Sequence, residues 1–142
     1  ALDANLLVYA IRADAPQHAA ALKVVRHLAE GDSQWLLPWP CVHEFLAIST
    51  HPRIYSPPTP QDRALNFIAR LLASPVVEVG HETSDHWRVL RQLLEAAGTT
   101  GPAVHDARVA AICLEHGASA LYSADRDFTK FAGLKVVNPL AF

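Results

Sequence analysis

The stretch ALYSADRDF, residues 120–128, decides how the chain folds. Ala120-Leu121-Tyr122 read as a short buried strand, and Asp125 and Asp127 stand just beyond its exit. The opening residues repeat the arrangement: Leu2 is the tail of a strand that ends at Asp3, and a helix is predicted from Leu6 to Ile11. In an open parallel sheet, ligands bind outside the carboxyl ends of strands where the strand order reverses. Two strand exits carrying aspartates are therefore expected to meet at one such edge.

The segments between them alternate in period. Helices are predicted from about Gln17 to Glu30, with Ala20, Val24, Val25 and Leu28 on one face, from Pro40 to Thr50, from the Thr59-Pro60-Gln61-Asp62 start to about Ala73, from Ser84 to Ala97, and from Ala103 to His116. Trp35-Leu36-Leu37, Val76–Val79, Ala120–Tyr122 and Leu134–Val137 read as strands, with a short helix from Phe128 to Phe131. Alternating strands and helices imply right-handed crossovers, hence an α/β fold in which a parallel central sheet is flanked by helices. At 142 residues the chain is expected to be one domain over 1–142.

Composition narrows the function. Hydrophobic residues make up 51% and charged residues 18%, and no apolar run of about 18 residues could span a bilayer. A soluble protein without a membrane partner is expected. Cys41 and Cys113 lie far apart and form no CxxC pair, which fits free thiols in a reducing cytoplasm. The net charge of −2 gives no global sign of a nucleic-acid binder, so any such binding must be local or helped by metal.

Most of the 14 acidic residues have ordinary explanations. Asp14 and Asp32 fit turns, Asp62 completes a capping pattern with Thr59, Glu82 and Asp85 open a helix, and Glu95 faces Arg91 one turn earlier. Asp3, Glu44, Asp106, Asp125 and Asp127 remain. Glu44 shares a helix face with Cys41, Ala47 and Ile48, and Asp106 aligns with Ala103, Ala110 and Cys113 on a helix that is apolar almost all round. A buried carboxylate must be paired, protonated or bound to a metal, because stripping its water costs several kcal/mol, roughly, after relaxation. Asp3 and Asp127 also fit as helix caps, Asp127 for Phe128–Phe131.

Other chemistries fail on spacing. His43-Glu44 begins a zinc-protease HExxH, but its second histidine falls on Ala47. Asp125 to Thr129 has the form DxDxT of a phosphatase nucleophile loop, yet it comes too late in the chain, and as a calcium loop it has Lys130 where the glycine belongs and no acid at Val136. A receiver-type regulatory domain with a Mg²⁺ pocket would want adjacent acids at the first strand's end, where Asp3 is followed by Ala4 and Asn5.

The opening LDANLLVYA, the mid-chain VHEFL, the helix VHDARVAAICLEHG and the close LYSADRDFTKFAGLKVVNPL, in that order and spacing, resemble the PIN-domain ribonucleases and, within them, the VapC-type toxins of toxin–antitoxin modules. The resemblance implies an acidic quartet of Asp3, Glu44, Asp106 and Asp125 around a metal, with Asp127 as a further ligand and Asn5 and Ser123 as polar supports. It also implies endoribonuclease activity leaving a 5′-phosphate and a 3′-hydroxyl, a homodimer, and a VapB-like antitoxin that masks the acidic groove. Carboxylate oxygens without cysteine or histidine ligands suit Mg²⁺ or Mn²⁺. Arg126, Lys130, Arg108 and Arg12 are candidate phosphate contacts by adjacency alone.

Overall fold

The computed structural model describes residues 1–141. Six α-helices and four short strands follow one another as α1 (Ala4–Ile11), α2 (His18–Glu30), β1 (Trp35–Pro38), α3 (Trp39–Ser49), α4 (Gln61–Leu72), β2 (Val77–Gly80), α5 (His86–Ala97), α6 (Val104–Glu115), β3 (Leu121–Tyr122) and β4 (Val136–Val137). The 3₁₀ turns Gly101–Ala103 and Arg126–Lys130 precede α6 and follow β3. The boundaries fall within a few residues of those expected from periodicity, and the last strand is half its expected length, only Val136–Val137 pairing.

Leu2 joins two strand pairs into one sheet. β1 runs parallel to β2 from Trp35↔Val77 to Pro38↔Gly80, and β3 runs parallel to β4. Leu2 N–H donates to Leu36 O at 3.1 Å on one side, while Asp3 N–H donates to Tyr122 O at 3.0 Å on the other. Across the sheet the order is β2, β1, the Leu2 segment, β3, β4. The chain thus builds outward from the centre, returns through α5 and α6, and builds outward again. The order reverses between Leu2 and β3, which is where a crevice opens at the carboxyl edge of such a sheet.

This central position explains why the inner elements carry almost no polar residues. Leu2, Leu6, Leu7, Leu37, Phe45, Ile112 and Leu121 are fully or almost fully buried. In α6 the run Val109–Cys113 is buried without a polar break, as expected for a helix covering the sheet centre. In α5 only Leu93 is buried, so it is an outer helix, and it closes at Gly98, whose φ of 62° is the left-handed conformation that glycine adopts without strain. Among the described residues, no helix is long and apolar enough to cross a membrane.

One local expectation is overturned. The capping pattern of Thr59 and Asp62 does not form: α4 begins after Pro60 with no side-chain cap, and Thr59 is instead buried, its N–H donating to Ser49 O at 2.8 Å. Glu115, the last residue of α6, turns inward and accepts from Thr83 N–H at 2.9 Å, Thr83 Oγ1 at 2.7 Å and His86 Nδ1 at 2.7 Å. It ties the start of α5 to the end of α6.

Gly80 marks the closest approach of sheet and helix. A Cβ there would lie 2.9 Å from Ile112 Cγ2 and 2.9 Å from Leu36 Cδ1. Gly80→Ala should therefore destabilise the protein by about 1–3 kcal/mol through overpacking. Urea unfolding measures this directly, and a neutral result would mean that α6 does not press on the sheet at β2.

Candidate metal centre

Asp3 leaves the central strand and immediately caps α1, its Oδ1 accepting from Ala4 N–H at 2.8 Å. The residue is 5% exposed, so its remaining oxygen needs a donor within the protein. Ser123, at the exit of β3 across the crevice, supplies one: its hydroxyl donates to Asp3 Oδ2 at 2.8 Å. The same Ser123 oxygen accepts from Asn5 Nδ2 at 3.2 Å and from Asp125 N–H at 3.0 Å. Asn5 Oδ1 in turn accepts from Ala124 N–H at 3.4 Å. One serine thus fixes the first strand exit, the first helix and the loop after β3 relative to one another, and both polar supports expected from the sequence sit between the acids.

Asp125 caps the 3₁₀ turn, its Oδ1 accepting from Asp127 N–H at 2.9 Å. The cap expected of Asp127 therefore belongs to Asp125, because the turn starts at Arg126, two residues earlier than the apolar pattern suggested. Asp127 is left with its carboxylate free to turn toward α6, where Asp106 lies in the first turn. Carboxylate oxygens of Asp106, Asp125 and Asp127 all lie within 4.8 Å of one another, close enough to share one cation.

Glu44 approaches from α3, but not as the helical spacing implied. The buried face of α3 is Cys41, Val42, Phe45 and Ser49, and Glu44 lies on its solvent border together with Ala47. Its carboxylate nonetheless feels the others: desolvation raises its pKa first, and the charges of Asp3, Asp106 and Asp125 raise it further. Desolvation also leads for Asp3, partly offset by its hydrogen-bond donors, and for Asp106, where Asp125 and Asp3 add to the rise. The positive charge of Lys130 opposes the rise at Asp106. The sequence did not reveal the part played by Cys41, whose buried thiol donates to Asp3 Oδ1 at 3.7 Å. Its place three residues before Glu44 was the available signal.

The basic candidates divide. Arg12 is buried, with Nη2 on Asp14 Oδ2 at 2.6 Å, Nη1 donating to Pro57 O at 2.8 Å, and its guanidinium 4.2 Å from the Tyr55 ring centroid. It clamps the end of α1 to the 51–60 loop and is not available to a phosphate. Arg108 is bound to Glu82. Arg126 and Lys130 are exposed on the turn that carries Asp125 and Asp127.

These carboxylates fit a hard divalent cation: they supply oxygen donors only, they cluster without an ion-paired base, and they repel one another when empty. For Asp3, Glu44 and Asp106, a folded pKa above the ordinary carboxylate value means that the stability they contribute is complete below that ordinary value. It is lost as pH rises through the raised values. Asp106→Asn should therefore melt a few degrees higher than the parent in EDTA at neutral pH, the difference closing below about pH 4, where the parent's carboxyls are protonated. Melts with Mn²⁺ added should favour the parent instead. An Asp106→Asn protein less stable than its parent in EDTA at neutral pH would contradict the mutual repulsion.

The PIN domain family model matches residues 1–134. The VapC ribonuclease Mb2897 of Mycobacterium bovis is 35% identical over 139 residues, covering 98% of this chain and 94% of that protein. Ribonuclease VapC48 of Mycobacterium tuberculosis is 30% identical over 139 residues, with 98% and 96% covered. Among solved structures, VapC20 of M. tuberculosis, described as a sarcin-ricin loop cleaving toxin, superposes with a TM-score of 0.67 at 20% identity over 94% of each chain, a likeness of fold. With a family model over nearly its whole length and relatives this similar from end to end, the chain belongs to the VapC ribonucleases of the PIN-domain family.

Proposed function

We propose that this protein is an endoribonuclease toxin that uses Mg²⁺ or Mn²⁺ to hydrolyse phosphodiester bonds in single-stranded or loop RNA, and that a VapB-like antitoxin neutralises it in the cytoplasm. The observation that carries this reading is the convergence of Asp106, Asp125 and Asp127 within 4.8 Å, beside a nearly buried Asp3 held by Ser123. The relatives named as ribonucleases support the choice of substrate.

Asp106, Asp125 and Asp127 would hold the cation, with Asp3 and Glu44 completing the acidic centre. When bound, the cation supplies activation of the attacking water and neutralises charge at the phosphate. The protein's own groups set the geometry. Ser123 and Asn5 hold the Asp3 carboxylate and the loop after β3 in one arrangement, and the Asp125 cap keeps the turn from unwinding. Arg126 and Lys130 line the same turn as phosphate contacts. In-line attack with departure of the 3′-oxygen leaves a 5′-phosphate and a 3′-hydroxyl. A receiver-type regulatory pocket is disfavoured, since the residue adjacent to Asp3, where it needs a second acid, is Ala4, and the amide of Asn5 beyond it is committed to Ser123 and Ala124. A homodimer is part of the same proposal.

Two substitutions separate holding the turn from holding the cation. Asp125→Asn keeps an oxygen for the Asp127 N–H, so it should fold normally and lose most RNA cleavage in Mg²⁺, with partial recovery in excess Mn²⁺. Asp125→Ala removes the cap as well, and should lose about 1 kcal/mol of stability in addition. Cleavage of total RNA, followed by sequencing of the new ends, reads the first effect and thermal melts read the second. Full cleavage by the parent in EDTA would sink the metal-dependent mechanism.

Asp127→Asn retains Asp106 and Asp125 but removes one of the three clustered charges. It should raise the Mn²⁺ concentration needed for half-maximal cleavage while leaving the melting temperature in EDTA unchanged or higher. An unchanged Mn²⁺ requirement would remove Asp127 from the cation site.

A further inference from the structure

The segment Leu37-Pro38-Trp39-Pro40-Cys41 carries a feature that the acidic centre does not use. Every residue of β1 is buried, yet Trp39, the next residue, is 38% exposed. Its ring stacks on that of His43, also exposed, with centroids 6.2 Å apart and planes inclined by 21°. Prolines on both sides of Trp39 restrict the backbone that presents it. A large apolar ring gains by burial, and this one is held in water on a stiffened segment with one face partly covered by a second ring.

Its position in the sheet links it to the acids. β1 is the immediate neighbour of the Leu2 segment, through the Leu2 N–H to Leu36 O bond of 3.1 Å, and neighbouring strands lie about 4.8 Å apart. Asp3 and Trp39 therefore leave adjacent parallel strands at the same carboxyl edge. Side chains on a helix lean toward its N-terminus, so from the first turns of α3 the two rings lean back toward that edge, and Glu44 directly follows His43.

We propose that the Trp39–His43 pair is a stacking platform for a nucleobase of the single-stranded RNA substrate, seating a nucleotide that flanks the scissile phosphodiester. This rests on the ribonuclease reading above and adds a subsite to it. Stacking suits this edge because it needs no positive charge on a protein whose net charge is −2, and it tolerates any base because every base has a π-face. The rings touch no reacting atom, so they act by positioning.

The test uses the full chain in the Trp87→Phe background, which removes the other exposed tryptophan, 67% exposed on α5, and leaves buried Trp35 as a constant signal. Titrating single-stranded oligoadenylate and oligouridylate should quench the Trp39 emission. Trp39→Ala should weaken binding of both oligonucleotides, and raise KM for RNA cleavage, about tenfold at nearly unchanged kcat, while Trp39→Phe recovers most of the loss. An oligonucleotide with one abasic position should bind the parent less well at one register and show no such penalty with Trp39→Ala. If the parent cleaves RNA and Trp39→Ala has the parent's KM and oligonucleotide affinity, the platform is wrong. A Trp39→Ala protein that changes from dimer to monomer by light scattering, with affinity per monomer unaltered, would make the ring a contact between copies and equally overturn it. A parent that cleaves no RNA in Mg²⁺ or Mn²⁺ would instead remove the ribonuclease reading, and the fluorescence titration would still decide whether Trp39 stacks on bases.

Discussion

The hydrogen bond from Ser123 to Asp3, 2.8 Å long and buried, is the contact on which the arrangement of this molecule turns. It spans the crevice where the strand order reverses, and its two residues are almost as far apart in sequence as the chain permits. Like charges gathered at one edge push strands and loops apart, and the sheet has little extended backbone to resist: β3 and β4 are two residues long, and the central segment is only the three residues Ala1 to Asp3. The side-chain network of Asp3, Asn5, Ser123 and Asp125 provides what the short ladders lack. Each member is bonded to backbone or to another member, so the carboxylates are held in place before any cation arrives, which is the condition for a preorganised site.

That economy explains the division of labour between core and site. Leu2, Leu6, Leu7, Leu121 and the Val109–Cys113 run of α6 form the apolar core of the same fold. Burial strengthens the hydrogen bonds inside it and penalises bare charge there. The raised pKa values of Asp3, Glu44 and Asp106 are the mark of this tension. Stability is given up locally to keep several carboxylates within reach of one ion.

What could be read from the sequence follows from how local each signal is. Asp3 and Asp125 were legible because a strand exit is a local pattern and the switch-point rule then places both at one edge. Asp106 was legible because its helix is apolar on nearly every side. Glu44 was placed on the wrong side of α3, since a helix with apolar residues at 41, 42, 45, 46 and 48 offers more than one face, and only the packing of Phe45 and Ser49 chooses between them. The cap at Asp125 was missed by two residues because a 3₁₀ turn is too short to show a period. Arg12 looked like a phosphate ligand by proximity, but its partners, Asp14, Tyr55 and the Pro57 carbonyl, include a loop more than forty residues away that no local pattern announces.

The distribution of the remaining cations completes the electrostatic picture. Arg12, Arg88, Arg91 and Arg108 are each paired with an acid, which spends their charge within the fold. Arg126 and Lys130 are among the cations that form no ion pair within the described residues, and both lie on the turn that presents Asp125 and Asp127, with Lys130 Nζ resting 5.3 Å from the Phe131 ring centroid. In a 3₁₀ turn residues three apart eclipse, so Lys130 stands on the same side as Asp127. The cluster therefore carries a cation of its own at the rim, and that cation already moderates Asp106. A polyanion approaching this edge meets the exposed Arg126 and Lys130 on the same turn as the acids. Attraction can thus be local on a chain whose net charge is slightly negative.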